Sequence, residues 1–408
     1  MIKVIPNNLH INDFINLFFI GFAFSIPISK ALTSLFGILI IITWIIEGNI
    51  SQKIKTISKD TLSLLFLFLI LFSIFSLLWS PDVIYGIKFI QKYWQFLIIP
   101  IMLTSFNSNY TKYVLNAFLL SMLISEITSY GIYFELWTYK NVLPSDPSPF
   151  MNHIEYSIYL AMTIIIIVTK LLKEKSNTWK VLLGLYLLTA LINLFINGGR
   201  TGQVSFLIAF SAVTLIYFKL SIKYVIGLFI ILGSILVIAY NFSPNFQHRV
   251  LVGKNDIVKM QENNDYTGSI SARIGLLRTG IAIFIDNPGG TGIGGEMLQR
   301  DEYSQKLGFG SFERFSDYHN SFLMYAVQLG MIGLLTIILI FCKMFFLQFT
   351  TRSYKALSIG FILIFFTHSM GGFTFHLFNA ISLLVLFTSL LNSLSHLEHK
   401  SYHESVKQ

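Results

Sequence analysis

Ser316-Asp317-Tyr318-His319-Asn320-Ser321-Phe322-Leu323 closes the only long polar run, Asn241 to Asn320, in a sequence that is otherwise almost continuously apolar. There a His-Asn pair stands at the mouth of a long hydrophobic segment. The same run contains Ser271-Ala272-Arg273-Ile274-Gly275-Leu276-Leu277-Arg278, which sets two guanidiniums on a short apolar helix. On both sides of it, apolar stretches near the ~20 residues that cross a hydrocarbon core recur along the chain. These flanks read as membrane scaffold that holds the polar run at one face of a bilayer.

Composition supports that division. Of 408 residues, 54% are hydrophobic and 12% charged, and the mean hydropathy is +0.67. A soluble domain carries about 25% charged residues, so a polytopic membrane protein is expected. The formal net charge of +9 fits the excess of Lys and Arg in cytoplasmic loops better than a nucleic-acid partner. The basic residues of the polar run, Arg249, Lys254, Lys259, Arg273, Arg278, Arg300, Lys306 and Arg314, are roughly balanced by acidic ones, which also argues against nucleic acid. The single cysteine, Cys342, lies inside an apolar run, so neither a disulfide framework nor a cysteine metal site is expected. Lys3 followed by the apolar run Phe14 to Ile28 has the look of a signal peptide. No small-x-small cleavage site follows, and Ser29-Lys30-Ala31 leads straight into another apolar run, so a retained first helix is expected.

The fold class is therefore all-α, a polytopic membrane protein of about twelve spans, at roughly 11–29, 31–47, 61–79, 83–105, 112–135, 154–172, 178–197, 201–219, 223–240, 320–343, 356–374 and 376–394. The organisation is nine helices in 1–240, an outer loop with short interfacial helices in 241–319, three helices in 320–395 and a tail in 396–408. Lys53, Lys55 and Lys59, then Lys170, Lys173, Lys175 and Lys180, then Lys219 and Lys223, then Lys343, Arg352 and Lys355 all fall in connections from even to odd spans. The positive-inside rule makes that side cytoplasmic, with both termini, and puts Asn241 to His319 and Thr138 to His153 outside together.

Gly290-Thr291-Gly292-Ile293-Gly294-Gly295 fits the G-x-G-x-x-G spacing of dinucleotide-binding loops. No strand or βαβ unit surrounds it, so it reads instead as a flexible turn that lets the backbone pass near the membrane surface. Asn197-Gly198-Gly199-Arg200-Thr201-Gly202 joins spans seven and eight at the outer face, and two readings stand side by side. One is a tight turn with a snorkelling arginine; the other is an anion site, with a guanidinium and bare N–H groups at a helix N-terminus. Arg273, set among Ile274, Leu276 and Leu277, must either leave its apolar face or meet an anion there, and paired with Arg278 it suits phosphate. His319 is a candidate base or a mere polar residue before span ten, with Asn320 as N-cap; His153 opens span six in the same way. No His, Cys or carboxylate spacing suits zinc, and no Asp-x-Asp pair is present to hold a metal, so no metal or other cofactor is expected. A small-anion transporter would want ionisable residues at mid-membrane. Glu126 is a rare one of that kind, while most polar groups collect at the outer boundary.

Four places then resemble, in the same order and topology, the O-antigen ligase and O-antigen polymerase superfamily of bacterial envelope glycosyltransferases. They are Phe150-Met151-Asn152-His153; Gly198-Gly199-Arg200-Thr201-Gly202; Ser271-Ala272-Arg273 with Asn287-Pro288-Gly289-Gly290-Thr291-Gly292-Ile293-Gly294; and His319-Asn320-Ser321-Phe322-Leu323 with Gly330 and Gly333. The resemblance covers spans six to ten, while spans one to five match only in hydropathy. It implies a metal-independent GT-C-type glycosyltransferase of the bacterial inner membrane with its site facing the periplasm. Such an enzyme moves a glycan from undecaprenyl diphosphate to a hydroxyl: of lipid A-core in a ligase, of another carrier-linked repeat in a polymerase. The ligase is the reading taken, with the polymerase and a protein O-oligosaccharyltransferase as alternatives. Carried over residue by residue, Arg200 and Arg273 meet the diphosphate and His319 serves the acceptor. Arg278, His153 and Asn320 are expected to bind substrate beside them.

Overall fold

The computed structural model describes residues 10–218, 222–312, 315 and 317–407; Lys3, Lys219, Arg314 and Ser316 lie outside them. Helices make up the chain, and no strand occurs among the described residues. In chain order they are α1 (Ile11–Ser25), α2 (Lys30–Glu47), the short α3 (Ile50–Ile57), α4 (Thr61–Phe75), α5 (Val83–Ile90), α6 (Ile98–Ser105) and α7 (Thr111–Tyr133). Then come α8 (His153–Leu171), α9 (Asn177–Ile196), α10 (Arg200–Phe218) and α11 (Ile222–Phe242). Three further helices fill the polar run: α12 (Pro244–Asn263), α13 (Ser269–Asp286) and α14 (Glu296–Lys306). The chain closes with α15 (Ser321–Phe345), α16 (Arg352–Gly371) and α17 (Phe378–Lys407), the last continuing through the 395/396 boundary without a break.

Ten helices among the described residues are long and apolar enough to cross a membrane. The two other spans expected from sequence take different forms. α1 has 15 residues and spans only ~22 Å at 1.5 Å per residue. Residues 83–105 are split into α5 and α6 by a 3-10 segment, Gln91–Leu97, where Gln91, Lys92 and Gln95 interrupt the apolar pattern. Side-chain caps set several starts: Asn152 accepts from Glu155 N at 2.9 Å, Ser243 from Phe246 N at 3.2 Å and Asn320 from Leu323 N at 3.0 Å.

α8 and α17 form the centre, with 78% and 89% of their apolar windows buried, whereas α11 at 11% lies at the edge. A buried carboxylate ties the central pair. Glu155 Oε1 accepts from the N–H groups of Asn379 at 3.2 Å and Ala380 at 3.3 Å, at the start of α17. Tyr159 Oη donates to Asn379 O at 2.8 Å one turn further on. The connections rich in Lys meet at one end of the bundle: Arg352 donates to Ile216 O, Lys173 lies over the Tyr354 ring, and Asn392 Nδ2 donates to Asp60. The polar run covers the other end.

The glycine-rich stretch is a docking strip between helices. α15 is kinked at Gly330 (φ 67°, ψ −157°), which frees carbonyls of the preceding turn. Thr291 N donates to Val327 O at 2.8 Å, Gly292 N to Gln328 O at 2.9 Å, and Met331 N to Pro288 O at 3.0 Å. A Cβ on Gly290 would come within 2.4 Å of Gly330 N. The close backbone approach read from the glycines is therefore made to α15, not to the membrane surface. On its other side Ser80 Oγ donates to Ile293 O at 2.7 Å and Ser76 Oγ accepts from Ile293 N at 3.3 Å, binding the strip to the corner between α4 and α5.

Candidate active site

The turn from α9 to α10 is built to be tight. Gly199 N donates to Asn197 Oδ1 at 2.9 Å, Asn197 Nδ2 donates to Ser148 Oγ at 2.6 Å, and Gln203 Nε2 donates back to Leu194 O and Asn197 O. A Cβ on Gly199 or Gly202 would come within 2.4 or 2.3 Å of Ser157 on α8, so these glycines let α10 press onto α8. That packing sets Arg200, the first residue of α10, half-buried beside α12. Its Nη2 is buried without a hydrogen-bond partner among the described residues.

Two more guanidiniums face the same ground. A Cβ on Gly198 would lie 3.1 Å from Arg249 Nη2, which places Arg249 of α12 against the turn. Arg273 of α13 lies within electrostatic reach of both Arg200 and His319. Burial pulls the Arg273 guanidinium below its ordinary value, with Asp317 opposing. Among the described residues none of these three arginines is in an ion pair.

Among the described residues, three nearby carboxylates have work of their own. Asp256 Oδ2 accepts from Ser269 N at 2.7 Å and Ile270 N at 3.2 Å, so α12 caps the start of α13. Asp146 Oδ2 lies 2.8 Å from His153 Nδ1, and its Oδ1 accepts from Gly198 N at 3.1 Å. Burial pushes Asp146 up, but His153, the Gly198 N–H and Arg249 together hold it below the usual carboxylate range. Asp317 Oδ1 accepts from His319 N at 2.6 Å and lies 3.4 Å from its Nδ1.

His319 occupies a left-handed backbone conformation, φ 49°, which an L residue adopts only where its surroundings hold it. The Asp317 contact to its N–H is one such restraint, and an edge-on Phe315 ring at 5.4 Å is another. Burial pulls the imidazole below its ordinary value; Asp317 raises it and Arg273 lowers it further. The ring is thus kept neutral near pH 7, with Nδ1 toward a carboxylate, an arrangement that favours the Nδ1–H tautomer and leaves Nε2 to accept a proton.

The arrangement brings Arg200, Arg273 and His319 into one electrostatic neighbourhood, and His153 joins it through Asp146 and Gly198. Arg278 stands apart: it is exposed, donates to Tyr266 Oη at 3.2 Å and lies over the Phe309 ring. Five residues on from Arg273, it sits ~140° round the helix. Asn320 caps α15 with its Oδ1, and its Nδ2 donates to Met370 O at 3.4 Å. Sequence reasoning passed over Arg249, Asp146, Asp256 and Asp317 as site residues. Arg249 follows Gln247-His248 in a polar stretch, where a further charge carries no contrast. The aspartates matter only through contacts distant in the chain. No group of three or more His, Cys, Asp and Glu gathers as a metal site among the described residues.

Beside the arginines, a cavity of about 270 Å³ opens between α10, α11 and α12, with Arg200, Gln203 and Arg249 among walls of Phe195, Leu207, Leu236, Phe246 and Ile270. It is an apolar trough with cations in its wall.

Compared with known proteins, residues 185–338 match the family described as O-antigen ligase. The matched segment contains Arg200, Arg249, Arg273 and His319 and the glycine-rich strip. No curated protein matches the chain.

Proposed function

We propose, from the premise that this chain is a member of the O-antigen ligase and polymerase superfamily, that it is an O-antigen ligase of the bacterial inner membrane working at the periplasmic face. The family match supports a membrane glycosyltransferase of the ligase or polymerase type. The ligase, its donor and its acceptor are our own reading. The observation that carries it is three arginines that form no ion pair among the described residues, set beside a restrained and neutral His319.

In this reading the donor is a glycan on undecaprenyl diphosphate. The diphosphate is the counter-ion met by Arg200, Arg249 and Arg273, and the first isoprene units lie in the apolar trough. A hydroxyl of lipid A-core attacks the anomeric carbon of the donor sugar. As that C–O bond forms, the bond from the anomeric carbon to the phosphate oxygen breaks, and its electron pair leaves with the diphosphate. The hydroxyl proton passes to Nε2 of His319. Preorganised guanidiniums meet the negative charge where it grows, and no metal need be invoked to neutralise it. Arg278, His153 and Asn320 have supporting places: His153 orders the turn beneath Arg200 through Asp146, and Asn320 fixes the start of α15 behind His319.

A polymerase would use the same donor chemistry with a second carrier-linked repeat as acceptor, and the family match favours it equally. The lipopolysaccharide pattern of a deletion strain separates the two. A ligase deletion removes all long chains from lipid A-core while carrier-linked polymer accumulates. Core capped by a single repeat would instead assign the polymerase.

A further inference from the structure

At the end of the bundle opposite His319, two cavities of about 340 and 860 Å³ adjoin and share Lys59 and His396 in their walls. The smaller lies between the start of α4, the end of α15 and the last turns of α17; the larger lies between α3 and α17. Lys343 and His399 add to the first, Lys55 and Lys400 to the second. Among the described residues the one carboxylate in either wall, Asp60, is already engaged: its Oδ2 accepts from Ser63 N and from Asn392 Nδ2, both at 2.8 Å. Among the described residues, none of the four lysines is in an ion pair.

The same walls have an apolar side. Leu62, Phe346 and Leu347 line the smaller cavity beside the cations, and Phe346 is 72% exposed. A soluble anion has no use for that surface, whereas a lipid places acyl chains on it and its charge among the lysines. We propose that this groove seats the phosphate-bearing headgroup of an anionic glycerophospholipid, with its chains running along the exposed face at Phe346. The lipid would tie together the far ends of α4, α15 and α17. Two of those helices reach the candidate active site: the turn after α4 holds Ile293 of the glycine-rich strip, and α15 begins next to His319. The groove is a separate site about 35 Å away, by the length of α15 at 1.5 Å per residue, and does not depend on the reaction assigned above.

The test is lipid retention by the purified full chain in non-ionic detergent, read by native mass spectrometry, with phosphatidylglycerol, phosphatidylcholine and inorganic phosphate as separate probes. Phosphatidylglycerol should be retained, and Lys59→Ala with Lys343→Ala should weaken retention about 30-fold, or roughly fivefold per cation. Lys180→Ala, which removes a cation at the same end outside the groove, should leave it unchanged. Thermal unfolding without added lipid shows that the double variant is folded. Equal retention of phosphatidylcholine, equal occupancy by inorganic phosphate, or undiminished retention by the folded double variant would each overturn the proposal.

Discussion

Arg200 and Arg273 each offer a planar fork where a lysine would offer only a point charge. Arg→Lys should therefore impair transfer at both positions, and Arg→Ala should lower it about 100–1,000-fold, the cost of one preorganised donor in a water-poor site. Arg249→Ala should lose about 10–100-fold, the value of hydrogen bonds to a charged group. In vitro transfer from a carrier-linked donor measures all of these; near-normal activity in the Arg200→Ala, Arg273→Ala double variant would remove the anion site from the mechanism. For His319, Ala should abolish transfer while carrier-lipid binding persists, and Gln separates a proton acceptor from a group that only orients the hydroxyl. Because burial and Arg273 hold this imidazole below its ordinary ~6.5, the neutral base persists as pH falls to about 6.5, and the rate should decline only below that. Asp317 opposes the shift, so Asp317→Asn should move the acid limb to still lower pH. A decline that begins above pH 6.5 would contradict the assignment. At this scale the sequence pointed to Arg273 because a charge breaks an apolar pattern there, and to Arg200 because it stands among glycines in a short turn between two apolar spans. Arg249, embedded in a polar stretch, gave no such contrast. Asn320 shows the ordinary reading holding in part, since its carbonyl oxygen does cap α15.

Between elements, the glycines divide into those that carry a contact and those that do not. Gly330 has φ 67° and ψ −157°, and an added Cβ would meet Pro288 O and Gly289 C at 2.4 Å. Gly330→Ala should cost about 1–3 kcal/mol from the backbone alone, with the clash against the strip in addition. Gly227 of α11 has nothing within 4 Å of the same atom among the described residues, so Gly227→Ala should be neutral or stabilising by about 0.5–1 kcal/mol. Thermal unfolding of both variants in one detergent checks the contrast; equal melting temperatures would mean the strip does not hold α15. The sequence marked the strip by its glycine spacing but not its partner, because the kink in α15 that receives it comes from one residue some forty positions later. The split of residues 83–105 was hidden for a related reason: the hydropathy of that stretch is nearly unbroken, and only Gln91, Lys92 and Gln95 hint at the 3-10 segment.

For the whole chain, the all-α membrane architecture followed from composition and from the recurrence of apolar stretches, which are properties of the sequence without reference to contacts. The orientation rests on where lysines fall, and the structure gathers those connections at one end. A reporter active only in the periplasm should therefore be active when fused near Lys259 and silent near Lys175. The reverse pattern would invert the protein and take the donor argument with it. Which helices lie at the centre was not legible, because α8, α11 and α17 are all apolar and burial depends on which neighbours arrive.

That arrangement also orders biogenesis. The helix that fills the middle of the bundle is α17, synthesised after every other one described, and the carboxylate waiting for its first N–H groups, Glu155, leaves the ribosome more than two hundred residues earlier. Until α17 arrives, Glu155 Oε1 lacks the Asn379 and Ala380 N–H groups, and among the described residues Oε2 has only Asn152 Nδ2, at 2.6 Å, from the cap of its own helix. Before α17 is made, the bundle holds only one of its two central helices, and the docking of α17 against α8 is the event that completes the centre. Since α10, which Arg200 opens, packs onto α8, and α8 is steadied by α17, the transfer activity proposed above should require α17 even though Arg200, Arg249, Arg273 and His319 all lie on earlier segments.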